Sequence, residues 1–175
     1  IDIMDFDEQG LYFLTAKGKS FYERLKQNDT ISLTGLQGNT TLSSQSVTIY
    51  GKVKEIGSFR LSALFQKNPY MYDIYPTKES RMALTVFQIY QGKGEFFGLS
   101  VQPIFRERFS FGSCESKGAG LFYINDDCIN CKKCISVCPQ KCIVYKNDKT
   151  TILQKHCLHC GNCYNICAVK AVEME

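Results

Sequence analysis

Two cysteine runs with the same internal spacing constrain this chain more than any other feature of its sequence. Eight of its ten cysteines fall within forty residues as two copies of the pattern CxxCxxCxxxC, namely Cys128, Cys131, Cys134 and Cys138, then Cys157, Cys160, Cys163 and Cys167. A [4Fe–4S] cubane is compact, so a tight CxxCxxC loop can supply thiolates to three of its irons while the fourth thiolate comes from elsewhere. The first 113 residues contain no cysteine, whereas a secreted disulfide scaffold would distribute its cysteines along the chain. The spacing therefore predicts two [4Fe–4S] clusters in a reducing compartment.

Structural zinc is the alternative interpretation of these cysteines, because CxxC pairs also bind Zn²⁺ tetrahedrally. A zinc site needs four ligands and commonly takes them as two CxxC pairs. Here three cysteines in CxxCxxC are followed by CxxxC, with Pro139 next in the first run and Ala168 next in the second. This arrangement, repeated once, favours clusters over zinc.

The region from residue 121 to residue 175 resembles the bacterial 2[4Fe–4S] ferredoxin family. Tyr123-Ile124-Asn125 precedes the first cysteine run, and Ile143-Val144-Tyr145 and Ala171-Val172 follow the two runs as short strands. In that family the fourth cysteine of each run binds the cluster of the other run. The resemblance implies that one cluster is held by Cys128, Cys131, Cys134 and Cys167, and the second by Cys157, Cys160, Cys163 and Cys138.

The charge near the cysteines supports a redox role over a static one. Residues 121–175 carry seven lysines and five acidic residues, and each oxidised cluster with its four thiolates adds a charge of about −2. Lys132, Lys133 and Lys141 lie beside the cysteines in the sequence. These lysines are expected to offset part of the negative charge and to raise the cluster potentials.

Two cysteines and both histidines fall outside the repeated pattern. Cys142 stands where such ferredoxins often have a small residue, so buried packing is favoured over ligation. Cys114 receives no role. His156 and His159 flank Cys157 and are interpreted as surface residues or as donors to the ligands, because eight cysteines already complete two clusters.

The first 113 residues combine short runs of β-branched and aromatic residues with glycine, a composition typical of strands. Strands are predicted over residues 11–15, 31–36, 46–56, 82–90 and 94–100, with a turn at 91–94 between the last two. Short helices are predicted over 20–26, opened by a Ser20 cap, and over 59–67. Long antiparallel strands with two short helices fit a β-barrel better than a βαβ sheet.

The chain divides by composition into two unequal parts. Residues 109–120 are rich in Ser and Gly and are typical of a linker. We expect a first domain at 1–113, a linker at 114–120 and the ferredoxin module at 121–175. The sequence begins at Ile1 without an initiator Met, so the N-terminus of the first domain is expected to be incomplete.

The first domain is similar to the pyridoxamine 5′-phosphate oxidase-like flavin-binding split-barrel family. The matching stretches are residues 10–25, 47–53, 74–76 and 108–112, and their order and spacing carry the likeness. The fold class that follows is mainly β, an antiparallel split β-barrel with short helices plus a small α+β ferredoxin-like 2[4Fe–4S] module. The family's first barrel strands precede the part that matches here.

The same resemblance implies an FMN site and a homodimer, since the family is usually dimeric with flavin at the interface. The segment that meets the FMN phosphate corresponds to Thr15, Lys17, Lys19 and Ser20. A short loop at a helix N-terminus offers backbone N–H groups and a favourable dipole, and two lysines add positive charge for a dianion. Taken without the resemblance, Lys17 and Lys19 are more typical of solvated turn residues.

Two functions remain open at this point. The first is an iron–sulfur flavoprotein oxidoreductase that passes single electrons between two [4Fe–4S] clusters and FMN, with substrate and redox partner unknown. The alternative is a flavin-free ferredoxin-type electron carrier whose barrel is a dimerisation or docking scaffold. A net charge of +4 without a basic block argues against nucleic-acid binding. The sequence has no apolar run of about 18 residues, so a cytoplasmic protein outside the membrane is expected.

Overall fold

The computed structural model describes residues 1–114 and 120–174, which divide into two compact units. The sheet unit comprises Ile1–Leu33, Thr48–Gly94 and Ser110–Glu115. The cluster unit comprises Thr34–Val47, Glu95–Phe109 and Ser116–Glu175. Most of the predicted linker, residues 115–119, lies outside the described residues. Within the described parts of the chain, no helix is long and apolar enough to cross a membrane.

Six strands form one sheet and account for most of the regular structure before the cysteines. The strands are β1 Asp5–Asp7, β2 Gly10–Ala16, β3 Thr30–Gln37, β4 Gln45–Gly57, β5 Leu84–Gly98 and β6 Phe105–Phe111. Their order is β1-β2-β5-β4-β3, and β6 also pairs with β5. The helices are α1 Ser20–Gln27, α2 Leu61–Lys67, α3 Met71–Ile74 and α4 Lys78–Arg81. The predicted mainly-β class with antiparallel strands and short helices is confirmed.

β2 lies between β1 and β5 in the sheet and is covered on both faces. It pairs antiparallel with β5, and Phe13 lies opposite Phe87. Tyr12 packs on one face in a cluster with Leu64 and Phe65, whereas Phe13 packs on the other face. Burial on both faces explains why this strand reads as a nearly continuous apolar run instead of an alternating one.

The predicted Ser20 cap of α1 is wrong, although the helix itself is confirmed. The N-cap residue is Lys19, and its side chain makes no capping hydrogen bond. The Lys19 carbonyl instead accepts hydrogen bonds from the N–H groups of Tyr22 and Glu23. Leu25 is buried against the sheet, so tertiary packing, and not a side-chain cap, stabilises this helix.

The turn predicted at residues 91–94 is also wrong, because β5 runs without interruption from Leu84 to Gly98. Gly92 and Gly51 lie against each other in neighbouring strands. A Cβ at Gly92 would lie 2.7 Å from the Tyr50 carbonyl oxygen, and one at Gly51 would lie 2.8 Å from that of Gln91. These glycines therefore permit a close approach of β4 and β5, a role that glycine also plays inside strands.

Replacing Gly92 with alanine is expected to lower the free energy of unfolding by about 1 to 3 kcal/mol, because the new methyl group would meet backbone atoms of β4. Gly18→Ala is the matched control, since a Cβ at Gly18 would have no atom within 4 Å. Urea unfolding followed by circular dichroism measures both variants. Equal stabilities for the two variants would show that β4 and β5 do not require this close approach.

β1 contains two acidic residues, Asp5 and Asp7, that both form ion pairs. Asp5 is bound by Lys67, and Asp7 is bound by Arg60. The hydrogen bond from Lys67 is the main reason that the pKa of Asp5 lies below its ordinary value. These ion pairs connect β1 to α2 and to Arg60, the residue that precedes α2.

The part of the cluster unit that contains the cysteines consists of short elements. They are β7 Phe122–Ile124, α5 Lys133–Ser136, β8 Ile143–Lys146, β9 Lys149–Ile152, α6 Asn162–Ile166 and β10 Val172–Met174. β7 pairs antiparallel with β10, and β8 pairs antiparallel with β9. Asn147 and Asp148 join β8 to β9 with positive φ at both positions, as a type I′ turn requires. The strands predicted around Ile143 and Val172 are confirmed.

Candidate metal centre

The two cysteine runs adopt the same backbone conformation, position for position. In the first run Asn130, Lys132 and Lys141 have positive φ. The corresponding residues of the second run, at the same offsets from the cysteines, are His159, Gly161 and Lys170, and all three also have positive φ. Left-handed residues between the cysteines turn the chain sharply, so each CxxCxxC loop is tightly folded.

Each loop, together with one distant cysteine, surrounds a cavity. The first cavity is lined by four cysteines, namely Cys128, Cys131, Cys134 and Cys167. The second cavity is lined by the four cysteines Cys138, Cys157, Cys160 and Cys163 and also by Cys142. The structure thus brings the fourth cysteine of each run to the loop of the other run.

Four cysteine thiols from the two runs line each cavity and are the donors that a cubane requires. Among residues 1–114 and 120–174, no group of three or more His, Cys, Asp or Glu side chains is close enough to hold a single metal ion. In a cubane each thiolate binds a different iron atom, so the sulfurs must stand apart. The donor set at each cavity therefore fits a cubane.

A backbone amide supports one sulfur atom at each cavity. The N–H of Ala171 donates to Cys167 Sγ at 3.2 Å, and the N–H of His159 donates to Cys157 Sγ at 3.4 Å. Hydrogen bonds to ligand sulfurs stabilise the negative charge of the thiolate and of the cluster that it binds. Cys131 and Cys160 are the exposed member of each set, whereas Cys157 and Cys163 are buried.

The lysines predicted to offset cluster charge are distributed unequally. Lys132 and Lys133 line the first cavity, and the Lys132 ammonium lies 4.2 Å from the centre of the Tyr145 ring. Lys141 is exposed and is not among the residues that line either cavity. Lysine charge is therefore concentrated at the first cavity.

Cys142 is buried, as the sequence predicted, and it occupies the position that Ala171 occupies in the second half of the repeat. Its Sγ lies 3.5 Å from Cys138 Sγ, and its side chain is 3% exposed. Burial raises the pKa of the Cys142 thiol well above its ordinary value, so the neutral thiol is favoured. Since alanine fills the equivalent place beside the first cavity, an apolar contact is sufficient there.

We expect Cys142→Ala to retain the full iron content and to lower the free energy of unfolding by only about 1 kcal/mol, the cost of a small buried deletion. Cys163→Ala is the matched control, because Cys163 is equally buried and is expected to cost about half of the iron. Colorimetric iron and sulfide assays on anaerobic protein compare the two. A loss of iron in Cys142→Ala would make Cys142 a ligand.

The two histidines have different surroundings. His156 Nδ1 lies 2.8 Å from the Ile104 carbonyl oxygen, so this nitrogen carries the proton and donates. His159 Nε2 is buried and has no hydrogen-bond partner among the described residues. Burial lowers the pKa of His159, and the positive charges of Arg106 and Arg108 lower it further, so its imidazole is neutral at neutral pH. Both side chains are half-buried and are not free surface residues.

Sequence reasoning missed two residues before position 121 that contact the lining of the second cavity. The Nε of Arg106 donates to the carbonyl oxygen of Cys157 at 3.1 Å, and the Ile104 N–H lies 3.4 Å from the Gln140 side-chain oxygen. Both Ile104 and Arg106 belong to the cluster unit, although they precede the cysteines by many residues. The sequence signal that could have found Arg106 is its spacing from Arg108, because residues two apart in β6 lie on the same face.

The four residues predicted to contact FMN lie at the end of β2 and the start of α1. Thr15 is buried, and its hydroxyl has no hydrogen-bond partner among the described residues. Lys17, Lys19 and Ser20 are exposed. The N–H of Lys17 donates to the Ala83 carbonyl and that of Lys19 to the Ala16 carbonyl. These two amides are therefore not free to bind a phosphate, although the sequence predicted free amides in this loop.

Cys114, which received no role from the sequence, is half-buried.

Comparison with known families assigns the cysteine-rich region alone. The family profile of the 4Fe-4S dicluster domain matches residues 121–168, a range that includes both cysteine runs. No curated protein matches the chain as a relative. The C-terminal part of the chain is thus an iron–sulfur cluster-binding module of the kind used in electron transfer.

Proposed function

We propose that this protein transfers single electrons through two [4Fe–4S] clusters that share their ligands across the two cysteine runs. The first cluster is bound by Cys128, Cys131, Cys134 and Cys167, and the second by Cys138, Cys157, Cys160 and Cys163. The supporting observation is that each cavity is lined by three cysteines of one run and the fourth of the other. A bound cluster supplies reversible one-electron chemistry.

The protein itself positions the thiols and stabilises the negative charge of the thiolates. The left-handed loop residues turn the chain tightly, three cysteines of each loop line one cavity, and amide donors reach Cys157 and Cys167. Apolar side chains such as Phe122 and Ile143 line the second cavity and limit the access of water. Solvent exclusion and hydrogen bonds to sulfur are the principal means by which a protein sets a cluster potential.

The proposal extends to a homodimeric FMN oxidoreductase in which Thr15, Lys17, Lys19 and Ser20 hold the phosphate. The unpartnered buried hydroxyl of Thr15 and the two exposed lysines support this extension. The amides already used by the backbone at Lys17 and Lys19 favour the alternative, a flavin-free electron carrier with the sheet as scaffold. When bound, FMN would link one-electron and two-electron chemistry.

The experiment is an ultraviolet–visible spectrum of anaerobically purified protein, with iron, sulfide and flavin assays on the same sample. About eight irons and eight sulfides per chain are expected for two clusters. Flavin released on denaturation, together with a dimer by light scattering, supports the oxidoreductase. Eight irons without flavin support the electron carrier, and zinc in place of iron overturns the proposal.

A further inference from the structure

The two cluster sites are built as near repeats, so any difference between them must come from their surroundings. The loops share their left-handed positions, and each cavity is lined by three cysteines of one run and the fourth of the other. The charged neighbours are different. Lys132 and Lys133, which line the first cavity, are exposed, and their counterparts in the second loop are the uncharged Gly161 and Asn162.

The second loop has a buried cation of its own, supplied by β6. The side chain of Arg106 is only 15% exposed. Its Nε donates to the carbonyl oxygen of Cys157, a ligand of the proposed second cluster. The guanidinium also lies 4.7 Å from the centre of the Phe97 ring, which shields it from water. A charge in this position is screened much less than the exposed lysines of the first loop.

A single carboxylate fixes Arg106 in this orientation. Glu95 binds Arg106 through one oxygen and Arg108 through the other. Burial alone would raise the pKa of Glu95, but the hydrogen bonds and charges of the two arginines outweigh it and hold the pKa below its ordinary value. The group therefore carries one negative and two positive charges at neutral pH, a net charge of +1 beside the second loop.

We propose that Arg106 is a positioning residue that raises the midpoint potential of the second cluster and leaves that of the first cluster nearly unchanged. This inference rests on the proposed function, since it requires two clusters in one chain. A nearby positive charge stabilises the more negative reduced cluster, and the hydrogen bond to the Cys157 carbonyl holds the guanidinium close to it. Two clusters with similar ligands thereby acquire different midpoint potentials.

A redox titration of the full-length protein, followed by electron paramagnetic resonance, tests the inference. Arg106→Gln is expected to decrease the ratio of reduced to oxidised second cluster tenfold at a fixed potential. For a one-electron couple this corresponds to a midpoint potential lower by about 60 mV. Arg108→Gln is the matched control. It removes a guanidinium from the same carboxylate, but one that does not contact Cys157, and it is expected to shift that midpoint less.

Three further variants separate a charge effect from a structural one. Glu95→Gln is expected to shift the same midpoint upward, and Arg106→Lys to restore most of the wild-type value. Lys133→Gln is expected to shift the other midpoint, by a smaller amount, because Lys133 is exposed at the first cavity. A downward shift for Glu95→Gln, or equal shifts of both midpoints for Arg106→Gln, overturns the inference. About four irons per chain in the wild-type protein would instead overturn the proposed pair of clusters.

Discussion

Replacing Cys138 with serine is expected to remove the same cluster that is removed by replacing Cys160, although Cys138 belongs to the other cysteine run. Cys138 lines the second cavity together with Cys160, and Cys131 lines the first. Each variant should retain about half of the iron, because only one of the two clusters loses a ligand. Iron assays and redox titration of the remaining cluster identify which cluster is lost.

The reciprocal variants provide the control for this crossed arrangement. Cys167→Ser should leave the same midpoint as Cys131→Ser, and Cys138→Ser the same midpoint as Cys160→Ser. If Cys138→Ser instead matches Cys131→Ser, each run binds its own cluster and the crossed ligand sets are wrong. Serine is suitable because it keeps the size of the side chain while its hydroxyl is a much poorer iron ligand than a thiolate.

Removal of iron is expected to unfold the cysteine-rich region while the sheet unit stays folded. The apolar core around the cysteines has few members besides the cysteines themselves, chiefly Phe122, Ile143, Ile152 and Val172. Its two sheets have only two strands each, and an isolated two-stranded sheet is marginally stable in water. Metal binding must therefore supply much of the folding free energy of this region.

Hydrogen–deuterium exchange before and after anaerobic chelation of iron measures this effect. Amides of β7 to β10 should exchange at least about 100-fold faster after chelation, since local opening no longer breaks a cluster. Amides of β2 and β5 are the internal control, because their side chains pack in the separate clusters around Phe13 and Tyr12. Retained protection in β8 and β9 would show that the region folds without iron.

The sequence predicted those features that depend on local spacing. The ligand cysteines follow from the CxxCxxC pattern because one short loop sets the geometry of three sulfurs. β4 was predicted from its alternation, and the structure shows Ile49, Gly51 and Val53 buried between exposed neighbours. α2 was predicted from apolar spacing, but it begins at Leu61 and leaves Phe59 exposed.

Features that depend on distant neighbours could not be predicted in the same way. Gly92 was interpreted as part of a turn, because a glycine that permits close strand packing has the same sequence signal as one that permits a turn. The contact between Arg106 and the Cys157 carbonyl joins residues 51 positions apart. The ion pair between Asp7 and Arg60 joins residues 53 positions apart, and nothing in the spacing of charges distinguishes it from a solvated surface.

The two loops place different residue types at the same left-handed positions, so the free-energy cost of adopting the loop conformation differs between them. Asn130 and His159 are both among the residue types that tolerate this conformation. At the next shared position, however, the first loop has Lys132 where the second has Gly161. A lysine in this conformation costs about 1 kcal/mol more than a glycine. The first loop is therefore the more strained of the two when empty, and during chelation its amides should lose protection before those of the second loop.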